Sequence, residues 1–402
     1  MKICLIVQNL FTLGGVQRTV VSIVNHLGTN SNYNFCVLMP SNYDSTKCFT
    51  INSNRVELIE LEKIYNDKKT IICKILYKIN IYLGVFDNEF LSEIAKLTLF
   101  NKKKLLKLVN WINEKKFDAV IGVSANYSLL LSIISEKLNT TCIGWMHSTY
   151  DGYFHRRGQN LFGLETLFIK NANKLDSMLV LNNIDKTKFS SKCNIDCHIM
   201  HNPITLDKAQ KDKKKEYDLI YVGRLNKTVK GLDYLIKVIN KVVNNKKNIK
   251  CVIVGEGYDC KYLLNEIRKR QLSNNIELVG FSDDVNKYYQ KSKLLISTSR
   301  WEGFGLTIVE AMQFGVPTIA FDNEGPSEII KNSKNGYLIP KYDVNLFAET
   351  IISCLDNEKK YEELSEKAIE SSKEYSIELI TNRFINLIER IVNEKKENNN
   401  YC

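Results

Sequence analysis

Two carboxylates in the second half of the chain lie in a predicted strand–turn–helix unit that needs neither of them for packing. Glu302 lies in the turn "SRWEGFG", and Glu310 follows eight positions later in the otherwise apolar run "LTIVEAMQF". A carboxylate only accepts hydrogen bonds, so Glu310 suits two vicinal hydroxyls such as those of a ribose, and Glu302 suits a sugar hydroxyl. The alternative is structural: Glu302 then compensates a helix dipole, and Glu310 lies on a solvated helix face.

Two cations precede these glutamates in the stretch "VGRLNKTVKG" (222–231). Arg224 and Lys230 follow the apolar run "LIYV" and lead into a predicted helix, whose N-terminus favours anions. A guanidinium can bind two phosphate oxygens at once, while an ammonium acts as a point charge. The pair therefore predicts a diphosphate ligand, with a solvated basic turn as the alternative.

A third loop, "VGEGYDC", also follows a predicted strand. Gly255 and Gly257 allow a close approach of the main chain, but they identify no ligand. The third glycine of the dinucleotide-binding fingerprint is missing, and no such fingerprint follows the first apolar run "KICLIV" either. This pattern argues against an NAD-dependent oxidoreductase.

The composition sets the class of protein. A chain of 402 residues is too long for one ordinary core and predicts two domains. Apolar residues at 44% and charged residues at 25% are typical of a globular protein rather than a disordered one. The formal net charge of +11 has two explanations, a Lys-rich composition or a basic surface for an anionic partner.

Cysteines and apolar stretches exclude several other classes. The cluster Cys193-x-x-x-Cys197-His198 has no second ligand pair at a zinc-like spacing, so no metal site is predicted. The first residues meet Gln and Asn too early for a signal peptide, and no run reaches the roughly 18 apolar residues of a membrane span. A reducing, cytoplasmic setting is therefore expected.

Alternating strands and helices predict the elements that position these loops. Apolar runs separated by helical patterns indicate parallel sheets covered on both faces. In the first half the predicted strands are "KICLIV", "YNFCVLM", "VELIEL", "DAVIGVS", "TCIGWMH" and "SMLVLN", and the run "CHIMHNPI" (197–204) closes this half. In the second half they are "LIYVGRL", "IKCVIVGEG", "IELVGF", "KLLISTSR", "PTIAFD" and "GYLIP".

The expected fold class is α/β, with two Rossmann-like doubly wound domains facing a central cleft. We expect one domain over 1–202 and a second over 203–375, joined by the charged connector "DKAQKDKKKEYD". A long amphipathic helix over 376–402 is expected to return to the first domain.

Several ordered motifs together resemble a known family. Glu302-x7-Glu310 resembles the E-x7-E motif of retaining GT-B glycosyltransferases, in particular glycosyltransferase family 4. The elements "TLGGVQRTV", "VGRLNKTVKG" and "GPSEII" match at the expected places. The resemblance covers the whole chain and is strongest over 219–342. It implies that the first domain binds the acceptor and that the second binds a nucleotide-sugar donor.

The resemblance also implies roles for individual residues. Glu310 would bind the donor ribose, and Phe281 matches a position whose main chain meets the nucleobase. His147, in "WMHSTYD", would lie near the donor sugar, with a core histidine as the alternative. The implied catalytic residues are Glu302, His147, Arg224 and Lys230. The implied donor-binding residues are Gly14, Gly15, Arg224, Lys230, Gly255, Phe281, Glu302, Gly303, Phe304, Gly305, Leu306 and Glu310.

Bond cleavage between a sugar and a diphosphate sets the chemistry of such a site. Negative charge develops on the leaving oxygens, which fixed cations and helix N-termini stabilise. The chain contains no Asp-x-Asp, the usual carboxylate pair for a nucleotide-sugar metal, so a metal-independent enzyme without a cofactor is expected. For retaining members the family implies front-face attack with the leaving phosphate as base. A glycosidase would need two carboxylates on opposite sides of the bond.

A Lys-rich segment bears on the acceptor. Residues 68–116 hold eleven lysines against four acidic residues, interleaved with apolar positions at helical spacing. This pattern suits an anionic bilayer surface or a lipid-diphosphate acceptor, and a solvated helix pair is the alternative. No nucleic-acid-binding module accompanies the charge, so no nucleic-acid partner is expected.

These observations predict a retaining hexosyltransferase that uses a nucleotide diphosphate sugar, with UDP as the expected nucleotide. The expected acceptor is a saccharide, lipid-linked, in bacterial surface polysaccharide or glycolipid synthesis at the inner face of the membrane. Two alternatives stay open. One is a soluble transferase acting on a protein or small molecule, and the other is a nucleotide-sugar-binding module without catalysis.

Overall fold

A computed structural model describes residues 1–30, 32–40, 50–51, 54–64, 71–159, 161–207 and 214–400, except the side chains of 71–74 and 399–400. The chain divides into two compact units. Unit 1 comprises Met1–Pro203 together with Ile377–Cys402, and unit 2 comprises Ile204–Ser376.

Unit 1 is built on a parallel sheet. Its strands within the described residues are β1 (Lys2–Ile6), β2 (Asn34–Met39), β3 (Val56–Glu60), β4 (Ala119–Val123), β5 (Thr141–Trp145), β6 (Ser177–Val180) and β7 (Cys197–Ile199). They lie in the order β3-β2-β1-β4-β5-β6-β7, and every pairing is parallel. The order reverses between β1 and β4, which makes that position the topological switch point of the sheet.

Helices separate these strands. They are α1 (Gly15–Leu27), α2 (Leu61–Ile64), α3 (Ile71–Leu83), α4 (Glu89–Leu99), α5 (Lys102–Lys115), α6 (Ala125–Ile134), α7 (Tyr150–Phe154), α8 (Glu165–Ala172) and α9 (Asn183–Cys193). Successive residues of β1 point to opposite faces, and both faces are buried. Cys4 and Ile6 pack into one hydrophobic cluster, while Ile3 and Leu5 pack into another.

Unit 2 repeats the architecture. Its strands are β8 (Tyr217–Val222), β9 (Cys251–Val254), β10 (Ile276–Gly280), β11 (Ser292–Ser297), β12 (Thr318–Phe321) and β13 (Gly336–Ile339), in the order β10-β9-β8-β11-β12-β13. Its helices are α10 (Lys227–Lys230), α11 (Leu232–Asn245), α12 (Cys260–Lys269), α13 (Asn286–Gln290), α14 (Leu306–Gln313), α15 (Glu324–Ile329), α16 (Val344–Asp356) and α17 (Glu358–Ser372). Here the switch point lies between β8 and β11.

The last helix, α18 (Ile377–Asn400), belongs to unit 1. It contacts α1 and β5, and its residue Phe384 is fully buried with its ring centroid 5.2 Å from that of Trp145. The apolar stripe of this amphipathic helix therefore completes one of the two clusters that cover the sheet of unit 1.

The predicted fold class is confirmed: both units are α/β and doubly wound, with parallel sheets. A strand is present at each predicted run, although several of the runs, such as "KLLISTSR" and "IKCVIVGEG", extend three residues past the strand into the following loop. Among the described residues, every helix falls short of the length or the apolar character needed to cross a membrane. In the same part of the chain no three His, Cys, Asp or Glu side chains are grouped closely enough to hold a metal ion.

Candidate functional site

Three loops meet at the carboxyl edge of the sheet in unit 2, because they follow the neighbouring strands β8, β11 and β12. The Asn323 side-chain amide donates to the carbonyl of Ser299 at 2.6 Å. The Gly325 N–H donates to the carbonyl of Glu302 at 2.9 Å. Ligands of open α/β sheets bind outside this edge, at the switch point. The loops therefore form the expected ligand-binding edge of this unit.

Lys230 and Glu302 are brought together at this edge. The Lys230 ammonium lies 2.5 Å from Oε2 of Glu302, and both side chains are largely buried. The Ser299 hydroxyl donates to the same carboxylate oxygen at 3.2 Å. Compensation of a helix dipole is therefore not a complete account of Glu302, because its carboxylate forms an ion pair with Lys230, the predicted diphosphate-binding cation.

Gly231 lets the loop after β8 approach the loop after β11. It has φ +63°, and a Cβ there would lie 2.1 Å from the carbonyl oxygen of Thr298. The Thr298 hydroxyl donates to the carbonyls of Lys230 and Gly231 at 3.2 and 3.1 Å. The glycine is needed both for its backbone conformation and for this contact.

Arg300 anchors the same loop and received no role from the sequence. Its guanidinium donates to both carboxylate oxygens of Asp233, at 2.9 and 2.7 Å, and to the carbonyl of Lys227 at 2.8 Å. It also lies 4.5 Å from the ring centroid of Tyr234. Burial opposes ionisation of Asp233, but the bonds and charge of Arg300 outweigh it and lower the pKa of Asp233.

The other predicted residues of this edge are spread along neighbouring loops. Arg224 follows β8 and is exposed. Phe281 follows β10 and is 46% exposed. A Cβ on Gly255 would lie 2.0 Å from the carbonyl oxygen of Gly223, so packing between two main chains already explains that glycine.

Glu310 lies in the fifth position of α14 and is 1% exposed. The Thr205 hydroxyl donates to its Oε1 at 3.2 Å. Because Glu310 is buried, it does not lie on a solvated helix face, and that alternative is excluded. A buried carboxylate needs hydrogen-bond donors, and Thr205 supplies one of them.

The turn between the two glutamates leads directly into α14. Gly305, at φ 101°, is the N-cap residue of that helix, and Leu306 begins it. The Phe304 side chain is buried, with its ring centroid 5.6 Å from that of Tyr375. Phe304 therefore offers a ligand only its main chain, as does Gly303.

Gly14, Gly15 and His147 belong to unit 1. Gly14 is the N-cap residue of α1 with an extended backbone, and Gly15 begins the helix. His147 follows β5, where its ring lies 4.5 Å from that of Trp145. Both ring nitrogens are shielded from solvent and lack a hydrogen-bond partner among the described residues. Burial lowers the pKa of His147 to about 3, so the ring is neutral at pH 7.

Sequence reasoning missed two residues beside His147. Ser124, directly after β4, has φ 71° and ψ 158°, a region that residues other than glycine rarely occupy. The Tyr153 hydroxyl accepts from the His147 N–H at 2.9 Å and also bonds to Ser124 and the Ala125 N–H. Burial raises the pKa of Tyr153 to about 12, against the opposing effect of these bonds. No pattern in the sequence indicates this conformation of Ser124.

In unit 2 the sequence missed Thr205, Ser299 and Asn323, whose contacts are given above, and Glu324. Asn323 Oδ1 and Glu324 Oε2 are buried and have no hydrogen-bond partner among the described residues. The position of Glu324 directly before the recognised motif "GPSEII" was the available signal.

Part of this chain, including the loops described above, is similar to known glycosyltransferases. Residues 204–371 match the family model "Glycosyl transferases group 1". The poly(ribitol-phosphate) alpha-N-acetylglucosaminyltransferase of Staphylococcus aureus is 32% identical over 309 residues, which cover 76% of this chain and 61% of that protein. The poly(glycerol-phosphate) alpha-glucosyltransferase of Bacillus subtilis is 29% identical over 54% of this chain and 31% of its own length. The matched regions thus span less than two thirds of these relatives.

Solved structures share the fold over nearly the whole chain. A TarM variant from S. aureus, in complex with Fondaparinux, alpha-GlcNAc-glycerol and UDP, has a TM-score of 0.73 at 20% identity and covers 96% of this chain and 99% of its own. HepE of Anabaena, in complex with UDP, has a TM-score of 0.74 at 16% identity, covering 97% of this chain and 100% of its own. The matches support a GT-B glycosyltransferase. At these identities the structural likeness shows the fold alone, and the activity, donor, acceptor and stereochemistry of this chain are proposals.

Proposed function

We propose that the chain is a retaining, metal-independent glycosyltransferase of family 4. It transfers a hexose-type sugar from a UDP-sugar to a lipid-linked saccharide acceptor in surface polysaccharide or glycolipid synthesis. The observation that carries the proposal is the contact between Lys230 and Glu302 at the switch point of unit 2. The contact lies inside the region that matches glycosyl transferases group 1.

Each group at this edge of unit 2 has a proposed role. Lys230 and Arg224 neutralise the charge that develops on the leaving diphosphate, together with the N-terminus of α14. Glu310 accepts hydrogen bonds from the ribose hydroxyls, and Glu302 holds both Lys230 and the transferred sugar. The main chain of Gly303, Phe304, Gly305 and Leu306 binds the sugar phosphate. The leaving phosphate acts as the base, so no protein nucleophile is needed.

The remaining proposed contacts are the main chain of Phe281 near the nucleobase, Gly255 elsewhere on the donor, and Gly14, Gly15 and His147 in unit 1. The neutral His147 ring can donate one hydrogen bond and accept another, which suits a sugar hydroxyl. Residues 1–202 would bind the acceptor and 203–375 the donor.

An anionic membrane surface is the proposed setting, reached through part of the Lys-rich segment. Residues 68–70 and the side chains of 71–74 lie outside the described residues. In the rest of the segment Leu83 is 72% exposed and Phe90 is 76% exposed, and exposed lysines including Lys78 and Lys102 lie on the same helices or beside them. Exposed apolar and basic side chains together favour the interface of an anionic bilayer.

A second acceptor class is a polyol-phosphate polymer, because two relatives are named for such acceptors. Transfer assays with a lipid-linked saccharide and with poly(ribitol phosphate), using the same donor, separate the two classes.

A thermal-shift panel with UDP, GDP, ADP, CMP and NAD, with and without EDTA, tests the donor proposal first. A ligand at a hundred times its Kd adds about 2.7 kcal/mol of stability. We expect a UDP-selective shift that survives EDTA. A shift with NAD alone, or no shift with any of the nucleotides, would contradict the proposal. A GDP-selective shift would replace UDP by GDP as the proposed donor nucleotide.

Glu310→Ala in the same assay tests the ribose contact. We expect a UDP affinity at least about tenfold weaker, since hydrogen bonds to a charged group contribute about 1.5–3 kcal/mol. Glu349→Ala, at an exposed glutamate of α16, is the matched control. Unchanged UDP affinity in folded Glu310→Ala would remove its assigned role.

A further inference from the structure

The proposed ribose-binding carboxylate is held by a residue that lies far from it in the sequence. Thr205 is one of the first residues of unit 2 and precedes Glu310 by 105 positions. Its hydroxyl donates to Oε1 of Glu310 at 3.2 Å. Neither the recognised motifs nor the proposed function involves Thr205. The contact therefore links the start of unit 2 directly to the residue that is proposed to bind the donor ribose.

The carboxylate of Glu310 needs such a contact to fix its orientation. Glu310 is 1% exposed, and its neighbours Val309 and Ala311 in α14 are also buried. The last side-chain torsion of a glutamate is broad, so the side chain by itself does not set the plane of the carboxylate. A hydrogen bond to one carboxylate oxygen restricts this torsion and thereby places the other oxygen. The Thr205 hydroxyl supplies a bond of this kind.

Thr205 is itself held by bonds on both sides of it in the chain. The Ile204 N–H donates to the carbonyl of Tyr375 at 2.8 Å. The side-chain amide of Gln313, the last residue of α14, donates to the carbonyl of Asp207 at 2.7 Å. Residues 204–207 are therefore bonded to α14 both at Glu310 and at Gln313. The hydroxyl of Thr205 thus approaches the carboxylate from a backbone that is fixed to the same helix.

We propose that Thr205 is a positioning residue that gives the donor site its preference for a ribose diol, by fixing the carboxylate of Glu310. Two neighbouring hydroxyls can donate to one carboxylate only when its plane faces them, and supporting hydrogen bonds provide that precision in binding sites. Thr205 acts through Glu310 and needs no contact with the nucleotide. The inference rests on the proposed function, in which Glu310 binds the ribose.

Isothermal titration calorimetry of the full chain with UDP and with 2′,3′-dideoxy-UDP measures this preference. The two nucleotides differ only in the two ribose hydroxyls, so the ratio of their Kd values reports the hydrogen bonds of the diol. In the unmodified chain we expect UDP to bind at least about tenfold more tightly, because hydrogen bonds to a charged group are stronger than neutral ones.

Thr205→Val removes the hydroxyl and keeps a side chain branched at Cβ. We expect it to reduce the preference for UDP by about three- to tenfold, and to leave the Kd of 2′,3′-dideoxy-UDP within about a factor of two. Thr205→Ser retains the hydroxyl and should keep the preference of the unmodified chain. An unchanged preference in folded Thr205→Val, or a loss of affinity shared equally by the two nucleotides, would overturn the proposal.

Thr350→Val is the matched control. The Thr350 hydroxyl donates to the carbonyl of Leu346 within α16 at 2.7 Å, so its removal should change neither Kd. A second comparison uses Glu310→Ala as the background. There Thr205→Val should have no further effect on the Kd of UDP, because the residue through which it acts is gone. Additive losses in the double variant would show that Thr205 does not act through Glu310.

The same titrations separate this proposal from the proposed function. If the unmodified chain binds neither nucleotide, the UDP donor and the role of Thr205 both fail. If it prefers UDP, and Glu310→Ala abolishes this preference while Thr205→Val retains it, only the role of Thr205 fails and the donor site stands.

Discussion

Lys230 has two roles in the proposed mechanism. Its ammonium neutralises the carboxylate of Glu302, which it contacts at 2.5 Å, and it stabilises the diphosphate. Glu302 is largely buried, so it cannot be left near a diphosphate without a compensating cation. The charge state of this pair should therefore control donor affinity.

Lys230→Ala should weaken UDP binding by about ten- to hundredfold, because a charged hydrogen bond is lost and an uncompensated carboxylate remains. The double variant Lys230→Ala/Glu302→Gln should recover part of that affinity by removing the repulsion. Calorimetric titration with UDP measures both.

The control for this pair is Lys237→Ala, at an exposed lysine of α11. It should leave the UDP affinity within a factor of two to three, a change of about 0.5 kcal/mol. If the double variant bound UDP no better than Lys230→Ala, the carboxylate would not oppose the diphosphate.

His147 makes the stability of the chain sensitive to acid. Burial lowers its folded pKa to about 3, while an unfolded histidine titrates near 6.5. Below about pH 6.5 the unfolded state therefore binds a proton that the folded state does not, and stability falls as the pH falls towards 3. Between pH 7 and pH 5 this contribution is about 2 kcal/mol.

His147→Gln should remove most of that loss, which urea unfolding at pH 7 and pH 5 measures. The control is His26→Gln, at a half-buried position in the last turn of α1. The same acid-dependent loss in His147→Gln as in the unmodified chain would show that another group carries it.

The loop after β11 is held by its neighbours rather than by its own sequence. The Arg300 N–H donates to the carbonyl of Val229 at 2.8 Å, and its guanidinium bonds to Asp233. Thr298 adds bonds to the carbonyls that end α10. The loop and the helix therefore form one structural piece that sets the position of Glu302 against Lys230.

Arg300→Lys should lower the unfolding free energy of unit 2 by about 1–2 kcal/mol, because lysine cannot bind the carboxylate through two parallel bonds or stack on Tyr234. It should also lower the rate of transfer, because Arg300 positions Glu302. A double-mutant cycle with Asp233→Asn measures the coupling.

The control pair is Lys246 with Asp356, which are exposed partners. Lys246→Gln should change stability by less than about 1 kcal/mol, as is typical of exposed ion pairs. Additive effects of Arg300→Lys and Asp233→Asn would show that the two side chains do not act together.

The chain as a whole forms two units, each built on a parallel sheet, and one of them is assembled from two separate segments of the sequence. Unit 2 is continuous in sequence, whereas unit 1 needs both ends of the chain. Six buried apolar residues of α18 join the cluster that covers one face of the sheet in unit 1: Ile380, Phe384, Ile385, Ile388, Ile391 and Val392. Part of the apolar cluster of unit 1 is therefore missing until α18 is in place.

Phe384→Ala should destabilise unit 1 by about 3–5 kcal/mol, the usual cost of removing a buried ring. Hydrogen–deuterium exchange should speed up in α1 and β5, which α18 contacts, and stay unchanged in β8 and β11 of unit 2. Leu379→Ala, at a position of α18 that is 37% exposed, is the control and should have a smaller effect. Faster exchange in both units would mean that the helix stabilises the chain as a whole.

Much of this molecule could be predicted without coordinates. Continuous apolar runs predicted the strands because a parallel sheet buries both of its faces, so its strands carry no polar alternation. Lys230 and Glu302 in loops after apolar strands, and Glu310 within an apolar helix, predicted a site because packing needs no charged group at such positions. Gly255 and Gly257 marked positions where two main chains approach, since a Cβ there would lie 2.0 and 2.3 Å from the carbonyl oxygens of Gly223 and Leu225.

Other features depend on residues far apart in the sequence, which no local pattern connects. The Arg300–Asp233 pair spans 67 positions, and one cavity of unit 1 is lined by residues from Gln8 to Leu164. Ser124 adopts a backbone conformation for which serine has no preference, so its own residue type does not predict it. Local composition was thus sufficient for the elements, and the chemistry at their ends stays a prediction. The order of the strands, a long-range property of the folded chain, brought Lys230 to Glu302 and four strand ends to one cavity.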